Sequence, residues 1–423
     1  MANRIRLFIA RMISLAVALL CAAATIGTDT ALAEDTVKVA YTSPLSGPFA
    51  QLGDTQLKEF QYIVDYLNAH GGVLGRKFEL VPFDNKSQVA DALITLQRAT
   101  DQNIPFILQC SGSNIAAALI DGINKHNEYN PESRILYLDC GAVATELTNE
   151  KCSFWHFRFD MNSLMKSEVL VRGLPKDLTK VYLLNQDFIA GQSMQHDFKA
   201  FLAKLRPDIQ VVGEELIPFG KVKDFSPYIT KVKASGAQAL VTGNFGPDLN
   251  LLIKAGLDAG IDLKYYTFSA QFAGGPTAIG PRGDGKVVSV MPFNENVAPK
   301  IGNADADAFT KGFRDKFHLD FSDAVTFRTS LEYIQAAAKK VGSLDPTKIA
   351  FAMEDMQLKD FLGYDTVMRK ADHQVLMPYY TSTLTKGAQY DAENTGLGWV
   401  PTATVMAKDV DQPTTCNMKR PAM

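Results

Sequence analysis

The sequence predicts an α/β protein built as two doubly wound parallel-sheet lobes. Short apolar strands alternate with amphipathic helices, a pattern that buries a parallel sheet under helices on both faces. The alternation runs twice, once over residues 37–140 and again over 180–291. At 423 residues the chain is long enough for two domains, each with its own core.

In the first series, Val37–Ser43 reads as a strand and Thr55–His70 as a helix. Leu57, Phe60, Ile63, Val64 and Leu67 recur there at helical spacing, and Gly71-Gly72 ends the run. Phe78–Phe83 is the next strand, Asp91–Thr100 a helix, Phe106–Cys110 a strand, Asn114–His126 a helix and Ile135–Cys140 a strand. The second series gives strands at Lys180–Asn185, Val211–Ile217, Ala239–Thr242, Tyr265–Phe268 and Lys286–Met291. Helices Gly191–Leu205, Ser226–Ala234 and Pro247–Gly260 separate them. Two longer helices follow, Ala304–Phe317 and Asp323–Val341, then a strand-rich stretch, Thr366–Thr385, and a polar tail. In such sheets ligands sit at the carboxyl ends of strands. That rule selects the loops 43–54, 110–113, 140–144, 186–191, 243–247 and 269–273.

The N-terminus reads as a signal peptide, residues 1–33. Arg4, Arg6 and Arg11 precede the apolar run Met12–Ala24, and Ala31-Leu32-Ala33 supplies the small residues of a cleavage site. The run is shorter than the ~20 residues that span a bilayer. Cys21 follows Leu20, where a lipid-attachment site wants a small residue. Removing this segment takes three basic residues and one acidic one from totals of 43 and 46, leaving a formal charge of −5. That balance argues against nucleic acid, which calls for a basic face.

Export to an oxidising compartment favours disulfides among Cys110, Cys140, Cys152 and Cys416, which allow three pairings. Cys152 and Cys416 both lie in polar, loop-like sequence, and that pair is favoured. Cys110 and Cys140 each end a strand and are possible neighbours. Neither the cysteines nor the six histidines show metal spacing, and no cofactor is expected.

The block 37–77, VKVAYTSPLSGPFAQLGDTQLKEFQYIVDYLNAHGGVLGRK, resembles the opening of the periplasmic branched-chain amino-acid-binding family, the solute receptors of ABC importers. NAHGGVLGRK is its most specific part. The resemblance continues through ATELTNE at 144–150 and FGKVKDFSPYITKVKASGAQALVTGNFGPDLNLLIKAGLDAGI at 219–261. It implies the type I periplasmic-binding-protein fold, two lobes joined by three crossover segments near Arg158–Met161, Pro292–Asn294 and Ala371–Gln374. Lobe 1 would comprise 34–159 and 293–373, and lobe 2 would comprise 160–292 and 374–423. It also implies a monomer that passes a small ligand to a membrane permease and ATPase.

The same resemblance assigns ligand-carboxylate capture to Ser111-Gly112-Ser113, where a strand gives way to a helix and N–H groups, hydroxyls and the helix dipole converge. The alternative is that a serine merely caps the helix. The loop Gly141-Ala142-Val143-Ala144 has Val143 where the family carries a hydroxyl, so only backbone contacts, chiefly from Ala142, carry over. Amino-acid receptors of the family hold the ligand ammonium with a carboxylate after the strand ending at Phe268. This chain has Ser269-Ala270-Gln271-Phe272 there, and two helpful tyrosines become Ala190 and Phe245. Phe188, Phe245 and Phe272 would wall an apolar slot beside Leu52, with Gln51, Asn244 or Gln271 hydrogen-bonding a ring substituent. A buried ammonium without a counter-charge is strongly penalised. The expected ligand is therefore a small organic acid, an aromatic one first, unless Asp187 or Asp248 reaches in. Branched-chain amino acids remain the alternative.

An enzyme on the same architecture is the main rival. The chain has no Gly-x-Ser-x-Gly elbow, and SPLSGPFAQLGD lacks the Gly-x-Gly-x-x-Gly spacing of a phosphate loop. A sensor acting without a transporter is the second.

Overall fold

The computed structural model describes residues 36–422. The segment 1–33, read as a signal peptide, lies outside them. Among the described residues three sheets form. The first holds β1 (Val37–Ser43), β2 (Phe78–Asp84), β3 (Phe106–Gln109), β4 (Leu136–Asp139) and β5 (His156–Arg158). All are parallel, in the order β2-β1-β3-β4-β5. Every residue of β3 and β4 is buried, which is why these strands read as continuous apolar runs rather than alternating ones.

The second sheet has a parallel part: β6 (Lys180–Gln186), β7 (Gln210–Ile217), β8 (Ala239–Val241), β9 (Lys264–Thr267) and β10 (Val287–Met291). A small antiparallel ribbon comes later in the chain, β11 (Gln357–Lys359), β12 (Asp365–Met368) and β13 (Val375–Leu376). Two further strands, β14 (Tyr379–Thr385) and β15 (Gly398–Val405), return antiparallel to the edge of the second sheet beside β10. The sequence placed a polar tail over β15. Pro401 hides the strand, and it is tolerated because β15 is the outermost strand and the register shifts opposite it, between Thr381 and Ser382.

The helices Ala304–Phe317 and Ala324–Val341 complete the first lobe. Phe60, on the buried face of the helix Ala50–Ala69, stacks on Phe327 with ring centroids 3.9 Å apart. Beside that contact, Glu59 accepts the amides of Ser322 (2.9 Å) and Asp323 (3.1 Å), and Asp323 accepts the Gln56 amide at 3.1 Å. This buried pair of carboxylates stitches the start of one helix to the middle of another.

Several boundaries differ from those read in the sequence. The first helix begins at Ala50 rather than Thr55, so Gln51 and Leu52 sit in its first turn and not in a loop. The third crossing falls a few residues later than Ala371–Gln374, because Val375 and Leu376 still pair with β12 and the chain joins the second sheet at Tyr379. The sequence groups the tail with lobe 2, whereas it is fastened to residues of lobe 1. Thr414 Oγ1 donates to the Thr148 carbonyl (2.8 Å), the Thr415 amide to Asn149 (2.8 Å), and Arg420 pairs with Glu354 (3.0 Å). Cys152 and Cys416 are joined as a disulfide across a sequence separation of 264, while Cys110 and Cys140 are buried thiols.

Two predictions follow from these fastenings. Burial holds the Asp323 carboxyl at about 7 and pushes Glu59 well above the usual carboxylate range, the Asp323 charge adding to the effect on Glu59. Folded values above unfolded ones near about 4 mean that the folded chain binds the extra protons. The contribution is therefore full below about pH 4 and is lost as pH rises to about 7. Urea midpoints measured across that window should fall less steeply in Asp323→Asn than in wild type; parallel curves would contradict the assignment. Second, Cys416→Ser should lower unfolding free energy by about 2–4 kcal/mol, because the bridge closes a long loop. Chemical denaturation under non-reducing conditions measures the difference.

Candidate functional site

The loops at the carboxyl ends of the strands line a partly open cavity of about 60 Å³. The first lobe contributes Leu52, Ser111, Gly112, Ser113, Gly141 and Val143 to its wall. Phe188, Ala190 and Phe245 come from the second lobe, with Met194, Phe268 and Phe272 beside them. Nine of the thirteen ligand-contact residues read from the sequence thus meet on one surface, and that surface is mainly apolar.

The loop after β4 is shaped by its own carboxylate. Asp139 Oδ1 accepts the amides of Gly141 (3.1 Å) and Ala142 (2.7 Å), and Oδ2 meets His156 Nε2 at 3.1 Å. Burial holds the His156 imidazole below its ordinary pKa. A Cβ on Gly141 would lie 2.3 Å from the Cys110 carbonyl oxygen, so only glycine lets the loops after β3 and β4 approach this closely. Ser113 joins the same two loops. Its Oγ accepts the amides of Val143 (3.2 Å) and Ala144 (3.1 Å) instead of capping the helix Ser113–Tyr129. Its own O–H proton has no acceptor among the described residues.

Four expected contacts lie elsewhere. Ala142 is buried, with its amide on Asp139 and its carbonyl accepting from Arg158 (3.4 Å), so its N–H is not free to bind a ligand carboxylate. Gln51 lines a separate, more polar cavity with Gln271, Arg314 and Glu393. Both amide atoms of Gln271 are buried without a partner among the described residues, as are those of Asn244, and neither residue lines the apolar cavity. The acidic alternatives are also otherwise engaged. Asp248 accepts from Gln186 (2.8 Å) and Gly220 (2.8 Å), and Asp187 from Gln192 (2.9 Å).

Sequence reading missed the charges that do line the cavity, Asp160 and Lys166. They form a buried ion pair, Nζ to Oδ2 2.6 Å. Asp160 lies in the first crossover, and Lys166 is on the helix Ser163–Arg172 that follows it. No local pattern marks either one, because a lone lysine on a short helix reads as a solvated residue. Among the described residues no cluster of side chains suits a metal ion, and no helix is long and apolar enough to cross a membrane.

At the cavity mouth, rings from both lobes pack against one another. Phe49, at the start of the first helix, stacks on Phe219 (centroids 5.1 Å apart) and tilts against Phe245 (5.3 Å). Phe219 packs in turn on Phe188 (4.8 Å). A Cβ on Gly246 would meet the Phe49 ring at 2.7 Å, and its φ of +59° is one that glycine adopts freely, so this residue makes room for the ring. Deeper in the molecule, Thr145 Oγ1 donates to Asp197 of the second lobe at 2.7 Å.

Residues 36–389 match the family described as periplasmic binding proteins. A Brucella abortus protein named Leu/Ile/Val-binding protein homolog 4 is 30% identical over 414 residues, covering 95% of this chain and 97% of its own. The crystal structure of a leucine-, isoleucine-, valine-, threonine- and alanine-binding protein from Brucella ovis, in a closed conformation, is 29% identical. It superposes with a TM-score of 0.81 over 92% of this chain and 100% of its own. A solute-binding protein of an ABC transporter from R. palustris, solved with benzoate, has the same fold at 20% identity, TM-score 0.71, covering 90% and 99% of the two chains.

Aromatic pairs contribute about 0.5–1.5 kcal/mol each beyond area burial. Phe49→Ala removes two that bridge the lobes, so the ligand-free protein should shift toward a more open shape. Small-angle scattering should then give a larger radius of gyration than wild type; identical profiles would mean that the rings do not hold the lobes together.

Proposed function

The chain belongs to the periplasmic binding protein family, and from that premise we propose that it is the extracytoplasmic receptor of an ABC importer for a small aromatic carboxylate. Residues 1–33 would direct it to the periplasm. There it would close on its ligand and hand it to a membrane permease driven by an ATPase, without chemical change to the ligand.

One observation carries the choice of ligand. The apolar cavity is walled by Phe188, Phe245, Phe268 and Phe272, and its only acidic lining residue, Asp160, is already neutralised by Lys166. An aryl ring gains by burial against those faces. A carboxylate gains from the positive end of the helix Ser113–Tyr129, where Ser113 lines the cavity and its hydroxyl proton has no acceptor among the described residues. A free ammonium would have to share Asp160 with a lysine. The R. palustris protein solved with benzoate supports the reading to the extent that its fold encloses such an acid.

A second reading is an α-amino acid. The names of the Brucella proteins point that way, and Asp160 is the one residue here able to meet an ammonium. Calorimetric titration with benzoate- and cinnamate-like acids, and with leucine and alanine, separates the two. The aromatic acids should bind and raise the melting temperature, since a ligand of the folded state alone stabilises it. Binding of leucine with no response to any aromatic acid would reverse the assignment.

A further inference from the structure

Resting on that reading of the cavity, we propose that Lys166 is the cationic anchor of the ligand carboxylate, held in place by Asp160 until the ligand arrives. The Lys166 side chain is 3% exposed and lines the cavity. Its Nζ donates to Asp160 Oδ2 at 2.6 Å and lies 5.7 Å from the centroid of the Tyr379 ring. An ammonium carries three donors. The described residues supply an acceptor for one of them, and burying the others unpaired costs free energy.

Asp160 is the more fully engaged partner. Its Oδ1 accepts the Met161 amide (2.8 Å) and the Tyr379 hydroxyl, its Oδ2 accepts Lys166, and its carbonyl accepts Gln374 Nε2 at 2.7 Å. The cation therefore has donors left to offer toward the cavity, whereas the anion is nearly saturated. That asymmetry selects a negatively charged ligand group. Lys166 stands on the helix Ser163–Arg172 and Ser111-Gly112-Ser113 on the opposite lobe, both on the cavity wall. A carboxylate held between them bonds to both lobes at once. A neutral isostere fills the same space without that bridge, so charge decides both affinity and closure.

The test is calorimetric titration of benzoate and benzamide into wild type, Lys166→Met and the double variant Asp160→Asn/Lys166→Met. The double variant leaves no uncompensated buried charge, so it keeps the test open if the single variant fails to fold. Wild type should prefer benzoate by roughly 100-fold, the scale of charge-assisted hydrogen bonds in a dry site. Removing Lys166 should cut that preference at least about tenfold while benzamide affinity stays close to wild type. A folded double variant that keeps the wild-type preference overturns the proposal. Leucine titrated into the same proteins separates this claim from the ligand class. If wild type binds leucine and not benzoate, and Lys166→Met loses leucine, the anchor stands and the aromatic reading falls. If wild type binds neither, both fall.

Discussion

The Arg158 guanidinium, wholly buried at the end of β5, is the group around which the ligand-side architecture is arranged. It donates to the carbonyl of Ala144 (2.7 Å), to that of Ala142 (3.4 Å), to Thr148 and to Gln374 Oε1 (2.9 Å). A buried cation is tolerated only when its donors are met and its charge is balanced. Burial lowers the Arg158 pKa, and the fields of Asp139, Asp372 and Asp160 oppose that shift. The loop after β4 must therefore keep its shape and Gln374 must stay in reach. One residue thus fixes a wall of the cavity against two of the passages between lobes.

That constraint also explains what could be read in the chain and what could not. The Ser111-Gly112-Ser113 wall was legible because a strand, a turn and a helix follow one another within a few residues, a local pattern. Phe188 and Phe245 were legible for the same reason. Ala142 was misassigned because Asp139 folds back on its amide and Arg158 captures its carbonyl, contacts that no spacing rule reveals. The aryl-walled slot was anticipated from Phe188, Phe245 and Phe272, yet the charges inside it were not. Asp160 and Lys166 acquire meaning only through burial against Tyr379, 213 or more positions along the chain. Long-range pairing of this kind leaves no periodic trace.

The two lobes are joined by contacts of different character. At the mouth the rings of Phe49, Phe219 and Phe245 meet through apolar faces, which separate and re-form with little directional cost. Near the crossovers the contacts are hydrogen bonds to buried groups, Thr145 to Asp197 and Gln374 to Asp160 among them. Breaking those leaves polar atoms unpaired, a larger penalty per contact. The stiff part of the structure therefore lies at the hinge side and the yielding part at the mouth, the arrangement that lets a cleft open without loosening its pivot.

The tail that returns to Thr148, Asn149 and Cys152 has a consequence for how the protein is made. The first lobe is begun by residues near 37 and finished by residues near 416, with the second sheet assembled from the stretch between. Contacts so distant along the chain are slow to form, because the connecting loop must be ordered first. A chain emerging from its N-terminus presents an incomplete first lobe, its tail-binding surface bare, until Cys416 has appeared, 264 positions after Cys152. Residues 414–416 act as a seal over a surface made far earlier in the chain.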